Sequence, residues 1–245
     1  MSNSPLATYK KISPNKTSPR NHKIDTISIH CVVGQFTAKE ILNMSHFVNY
    51  DSTKGASCNY AIGRDGSIGI GVDEKDRSWC TSNKANDNRA ITIEVASDLN
   101  HPYKVTDKAY SALIELLVDI CKRNDIKELK WKADKSLIGK VSEQNMTVHR
   151  WFANKACPGE YLYSRHGAIA KAVNERLYGG VKSTLPYKVK IDIPDLNIRK
   201  GPGIVYGKTG KATGKGVFTI TEECSGWGKL KSGTGWVSLK YVTKI

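Results

Sequence analysis

The feature that most restricts how this chain can fold is a change of hydrophobic period near residue 179. Before it, strand-like runs alternate with helical ones. Asp25–Val33 (DTISIHCVV) and Ala90–Ala96 (AITIEVA) read as strands. Tyr110, Leu113, Ile114, Leu117, Ile120 and Cys121 recur at helical spacing over about Thr106–Arg123. Such alternation predicts an α/β layer structure with helices packed on a sheet. After Gly179-Gly180 the helical period stops, and residues 179–186 (GGVKSTLP) have linker composition. From Tyr187 to Ile245 only short alternating runs remain, KVKIDI, VFTITEE, WGKLK and GWVSLKYV, separated by Gly-rich turns. That pattern predicts a small all-β barrel or sandwich. The expected organisation is therefore a domain over 1–178, a linker over 179–186 and a second domain over 187–245.

Local signals refine the first domain. Thr37-Ala-Lys-Glu40 is a capping box, predicting a helix that runs to about Phe47. Asn59–Ile70 (NYAIGRDGSIGI) reads as a hairpin turning at Arg64-Asp65-Gly66. Met146–His149 reads as the end of a strand, and after Cys157-Pro158-Gly159 a last helix is expected over Leu162–Tyr178.

Charge and cysteine usage narrow the function classes. The formal net charge is +15, from 38 Lys and Arg against 23 Asp and Glu. From Leu185 onward there are 11 basic and 4 acidic residues, a net of +7, so the excess is densest in the second domain. A surplus of this kind suits polyanion partners: nucleic acid, anionic membrane or an acidic cell wall. No nucleic-acid motif accompanies it, and no run approaches the ~20 apolar residues of a membrane span, so neither nucleic-acid binding nor membrane insertion is expected. Residues 1–16 carry no apolar segment of a secretory signal, so Sec-type export is not expected. The six cysteines (31, 58, 80, 121, 157, 224) then read as reduced thiols.

Three residues could hold a metal. His30 lies on the first strand, His149 ends a later one, and Cys157 follows eight residues on. Hydrolytic zinc takes three N, S or O ligands and keeps one position open. On spacing alone, a histidine in a strand is more often an ordinary satisfied side chain than a ligand, and Glu94 reads first as a solvent-facing strand residue.

The segments TISIHCV, SCNYAIGRDGSIGI, NRAITIEVA and VHRWFANKACPG, in this order, resemble the signature segments of the type-2 N-acetylmuramoyl-L-alanine amidases, which share a fold with the peptidoglycan-recognition proteins. The resemblance covers roughly residues 20–178. It implies a mixed central sheet flanked by helices and a zinc ion held by His30, His149 and Cys157. It further implies that Glu94 acts as general base and Lys155 as stabiliser of the oxyanion. Zinc lowers the pKa of bound water from 15.7 to about 7, which suits attack on an unactivated amide. Asn59, Tyr60 and Trp79 fall in segments that would line the substrate, Tyr60 being readable either as a packing residue or as part of the substrate wall. The sequence departs from relatives at Ser57-Cys58-Asn59-Tyr60, where many carry His, and at Trp79-Cys80, where Trp-His is common.

The second domain, with Leu196–Gly203 (LNIRKGPG) and a GWV near its end, resembles bacterial SH3-like cell-wall-binding domains. Trp227, Trp236, Tyr206 and Tyr241 offer flat faces, Trp236 reading better as core. Together the two resemblances imply an enzyme acting on peptidoglycan and associated Gram-positive wall polymers. A phage endolysin, made in the host cytoplasm and freed by holin-type release, is the leading expectation. A bacterial autolysin and a non-catalytic peptidoglycan binder are the alternatives.

Overall fold

The computed structural model describes residues 2–178, 185–204, 206–224 and 226–245. The chain divides into two compact units, Met1–Tyr178 and Gly179–Ile245. The linker expected over 179–186 falls, except for its last two residues, outside the described residues.

The first unit begins with β1 (Tyr9–Lys10), β2 (Lys16–Thr17), β3 (Thr26–Val33), α1 (Ala38–Leu42) and α2 (Ser45–Val48). There follow β4 (Tyr60–Ile62), β5 (Ile68–Ile70), β6 (Arg77–Ser78), α3 (Lys84–Arg89) and β7 (Ala90–Ser97). It closes with α4 (Asp107–Arg123), β8 (Met146–Thr147), α5 (Gly159–Tyr163) and α6 (His166–Tyr178). Six strands form one mixed sheet in the order β1-β5-β4-β7-β3-β8, while β2 and β6 pair as a separate ribbon. The β3–β7 and β4–β7 pairs are parallel and the β4–β5 hairpin is antiparallel.

Alternation along the strands decides which face each side chain occupies. Ile27 and Ile29 of β3, with Ile91, Ile93 and Val95 of β7, join Leu113, Ile114, Leu117 and Ile120 of α4 in the main core. Thr106 caps α4 by accepting from the Ala109 amide at 3.1 Å, which fixes where that helix starts. The other face of the sheet carries a smaller cluster built from Ala38, Ile41, Leu42, Cys58, Ala61, Cys80 and Ala96.

Three expectations need correction. The Thr37 capping box forms, with Glu40 Oε2 accepting from the Thr37 amide at 2.7 Å, but α1 ends at Leu42. Asn43 closes it by donating its amide to the carbonyls of Glu40 and Ile41, and the short α2 follows separately. The last helix is likewise two pieces, α5 and α6, with Ser164 as the C-cap between them. His149 does not end a strand. β8 stops at Thr147, and His149 opens a 3-10 turn over His149–Trp151.

The second unit is an all-antiparallel, seven-stranded sheet. Its strands are β9 (Tyr187–Ile191), β10 (Asn197–Arg199), β11 (Lys208–Ala212), β12 (Gly216–Cys224), β13 (Trp227–Leu230), β14 (Trp236–Ser238) and β15 (Thr243–Lys244). Strict alternation on β9 buries Tyr187, Val189 and Ile191 against Leu196, Ile198, Ile220, Leu230 and Val237. Trp236, expected in this core, is only half-buried, because Val237 takes the inward position on β14. Tyr206 and Tyr241 are exposed.

Candidate metal centre

Two adjacent parallel strands begin the site. The β3–β7 register sets His30 directly beside Glu94. Ile29 and Ile93, one residue earlier on each strand, point into the main core, so alternation sends the imidazole and the carboxylate to the opposite face. His30 Nδ1 lies 3.9 Å from Glu94 Oε1.

The other two donors come from the chain that follows β8. The 3-10 turn presents His149, whose ring centroid is 5.2 Å from that of His30. The loop then returns, held by the Arg150 amide donating to the Cys157 carbonyl at 3.1 Å. This return brings Cys157 Sγ to 3.3 Å from His30 Nδ1. One donor atom each from His30, His149 and Cys157 lies within 4.8 Å of the others. Zinc–nitrogen and zinc–sulfur bonds of about 2.0 and 2.3 Å at a tetrahedral angle would set N and S roughly 3.5 Å apart, so the cluster has the right scale.

Each histidine is held from behind. Ser28 Oγ sits 3.1 Å from His30 Nε2 and donates to the Thr147 carbonyl at 3.4 Å. With its proton used on that carbonyl, Ser28 accepts from Nε2–H, which leaves the Nδ1 lone pair facing Cys157. Ser82 Oγ is 3.2 Å from His149 Nε2. Ser82 is held at φ 61°, on a loop that the buried Asp87 pins by accepting from the amides of Cys80 and Thr81.

The electrostatics favour neutral imidazoles. Burial, and then the nearby His149, push the His30 pKa well below its usual value. His149 is lowered by burial and by the charge of Lys155. Burial, followed by the Cys31 thiol, raises Cys157. Burial also lifts Glu94 to about 7, against the opposing effect of the Cys80 thiol, which donates to Oε1 across 3.7 Å. Glu94 Oε2 is buried and, among the described residues, has no hydrogen-bond partner. A carboxyl held near neutrality, half of it unpaired, beside a His/His/Cys donor set is an arrangement suited to zinc and to proton transfer next to it.

The other expected site residues differ in exposure. Lys155 is exposed on the same return loop, and its charge acts on His149. Tyr60, expected to line the substrate, is fully buried. Its hydroxyl donates to Glu74 at 2.5 Å and accepts from the Ser4 amide at 2.7 Å, so it belongs to the core. Asn59 is also fully buried; its carbonyl accepts from the Thr92 amide at 3.1 Å and its amide donates to the Val72 carbonyl at 3.2 Å. Both side chains are committed to these bonds and, fully buried, present no surface to a ligand. Trp79 is half-buried, with Nε1 donating to Thr17 Oγ1 at 3.1 Å and the exposed Tyr50 ring 6.2 Å away. Ser28, Ser82 and Cys31 are neighbours of the cluster that residue-by-residue reading did not single out, while Cys80, noted as a departure from relatives, stands against Glu94. For Ser28 a signal existed, since residue i−2 on a strand shares the face of His30.

Comparison with known proteins agrees with the fold. Residues 20–160, more than half of the chain, match the N-acetylmuramoyl-L-alanine amidase family, Amidase_2. A stretch of 52 residues is 44% identical to YrvJ of Bacillus subtilis (strain 168), whose name provisionally makes it an N-acetylmuramoyl-L-alanine amidase. That stretch is 20% of this chain and spans about a tenth (10%) of the length of YrvJ. The crystal structure of a selenomethionine derivative of AmpD superposes with a TM-score of 0.50 at 19% identity, covering 68% of this chain and 96% of AmpD.

Proposed function

Since the chain belongs to the N-acetylmuramoyl-L-alanine amidase family, we propose that it is a zinc-dependent peptidoglycan hydrolase cutting the amide between N-acetylmuramic acid and L-alanine. The observation that carries this reading is the convergence of His30, His149 and Cys157 beside Glu94, all four inside the matched residues. A zinc ion held by the first three would supply the Lewis acidity that polarises the scissile carbonyl and activates water near neutral pH. Glu94, beside the donor set with one oxygen unpaired among the described residues, is placed to accept the proton of the attacking water and return it to the departing amine. Neutral His30 and His149 keep their lone pairs for the metal, and Ser28 holds the required tautomer of His30. Lys155 contributes positive charge at the mouth of the site, where it favours the developing oxyanion. The half-exposed Trp79 is the aromatic wall against which the glycan or peptide rests.

The second unit we read as an SH3-like wall-binding domain. In support, its rings are partly exposed and carry cations: Lys229 Nζ is 6.0 Å from the Trp236 ring centre and Lys240 Nζ is 5.7 Å from that of Tyr241. Flat amphipathic faces with Lys nearby suit anionic wall polymers. A catalytic unit joined to such a binder gains effective concentration at its polymer substrate. The pairing is that of a phage endolysin directed at a Gram-positive wall and released through a holin.

The test is chemical. Purified protein should clear suspensions of Gram-positive walls and expose new amino groups without new reducing ends, and a chelator should abolish both effects. Reducing ends would assign a glycosidase instead. Unchanged turbidity with retained wall binding would assign a non-catalytic binder.

A further inference from the structure

His30 is shared by a second cluster. One donor atom each from His30, Cys80 and Glu94 lies within 4.8 Å of the others. Cys80 Sγ is 3.7 Å from Glu94 Oε1, which is itself 3.9 Å from His30 Nδ1. The same Nδ1 lies 3.3 Å from Cys157 Sγ. A neutral imidazole nitrogen has one lone pair, so it can serve one ion at a time.

We propose that the pocket contains two mutually exclusive cation seats. The first is His30/His149/Cys157. The second is His30/Cys80/Glu94, a site for the same zinc-like ion in which the enzyme is inactive. The second set offers one nitrogen, one sulfur and one oxygen, a donor chemistry that suits zinc, cobalt(II) or cadmium better than magnesium or calcium.

The surroundings support it. The main chain at Cys80 is fixed, its amide donating to Asp87 Oδ2 at 3.1 Å, and the adjacent Thr81 hydroxyl donates to Asp87 Oδ1 at 2.6 Å. The Cys80 backbone is thereby anchored beside Glu94, whose Oε1 the thiol reaches across 3.7 Å. Glu94 keeps one oxygen without a protein partner, so the carboxylate can turn to an ion without breaking an existing bond at that atom. Cys121 shows the contrast: it is fully buried within the main core, among aliphatic side chains.

Occupation of the second seat balances simply. The Cys80 S–H bond is replaced by a sulfur–metal bond, the proton passes to solvent, and Glu94 binds as carboxylate. Glu94 is then a ligand and is lost as a base, and His30 is withdrawn from the first seat. The inference rests on the proposed function for its catalytic consequence, while the seat itself is independent of it.

Cobalt(II) provides the test, because a bound thiolate gives a near-ultraviolet charge-transfer band. Each seat holds one thiolate, so the full-length wild-type chain, Cys80→Ser and Cys157→Ser should all show a band of similar size. His149→Ala, which disables only the first seat, should show it as well. In Cys157→Ser/Cys80→Ser the band should disappear. Loss of the band in both Cys157→Ser and His149→Ala, in chains that remain folded by circular dichroism, would overturn the proposal. So would its survival in the double variant, which would place the ion on Cys31 or Cys58. Failure of the functional reading looks different: the cobalt bands would follow this pattern while neither the wild-type zinc protein nor Cys80→Ser cut peptidoglycan.

Discussion

Replacing Glu94 by Gln should make the metal-free protein more stable and the enzyme far slower, and the two effects have different pH signatures. Burial raises the Glu94 carboxyl from 4.5 to about 7. Between those values the folded chain holds a proton that the unfolded chain has released, so folding stability falls as pH rises through the window. The contribution is fully present below about 4.5 and gone above about 7. A shift of this size corresponds to roughly 3 kcal/mol at 1.36 kcal/mol per unit. Gln has nearly the same shape and no charge to desolvate. The stability difference between Glu94→Gln and wild type should therefore be near zero at pH 4 and grow to as much as about 3 kcal/mol by pH 8. Urea titration of the chelated proteins, followed by tryptophan fluorescence, measures it. Activity on walls should fall by about 10²–10⁴, the usual worth of a positioned proton-transfer group, with bound zinc unchanged. A stability difference that does not vary with pH would refute the desolvation argument. An activity loss below about tenfold would remove Glu94 from the chemistry.

Removing the Ser28 hydroxyl (Ser28→Ala) frees the His30 tautomer and should weaken zinc binding by about 10–100-fold in a chelator competition, with little change in thermal stability. Tyr60→Phe leaves the Ser4 amide and one Glu74 contact unpaired, so it should cost about 1–3 kcal/mol of stability while KM on wall fragments stays constant. A changed KM would return Tyr60 to the substrate wall. His166 is fully buried, and burial lowers its pKa from 6.5 to about 4 despite the Leu162 carbonyl at 2.7 Å. The unfolded chain takes up that proton first as pH falls, so the first unit should lose roughly 3 kcal/mol between pH 6.5 and pH 4. His166→Asn should flatten this slope, read from the near-ultraviolet dichroism of the stacked Trp131–Trp151 pair, whose centroids are 5.1 Å apart.

How much of this was legible in the sequence depended on the range of the interactions involved. The α4 helix was readable almost to the residue, because its apolar stripe and the Thr106 cap are local signals. The break of α1 at Asn43 was not readable: two backbone carbonyls capture the Asn43 amide, and the pattern of apolar residues continues past the break. His149 was misassigned to a strand for a similar reason. Only Ile27 and Ser28 of β3 pair with β8, and two bridges leave no alternation to read in one sequence.

The site divides along the same line. Family resemblance pointed to the three donors and Glu94, but single-sequence spacing left each of them open, since His30 and Cys157 are 127 positions apart and meet only through the fold. The hairpin shows where resemblance misleads. Asn59 and Tyr60 lie in a segment that the resemblance assigned to the substrate wall, yet here Tyr60 is tied to Glu74, which Arg123 also grips at 2.6 Å, and Asn59 is tied to Thr92. Those partners come from three separate parts of the chain, so no segment-level match could disclose that both side chains were already committed. Beside Glu94 stands Cys80, whose thiol donates to Oε1 across 3.7 Å, at a position where the resemblance led one to expect His. A thiol there exchanges a hydrogen-bonding ring for a soft donor directed at the carboxylate, and that exchange gives this pocket a choice between two seats for one ion.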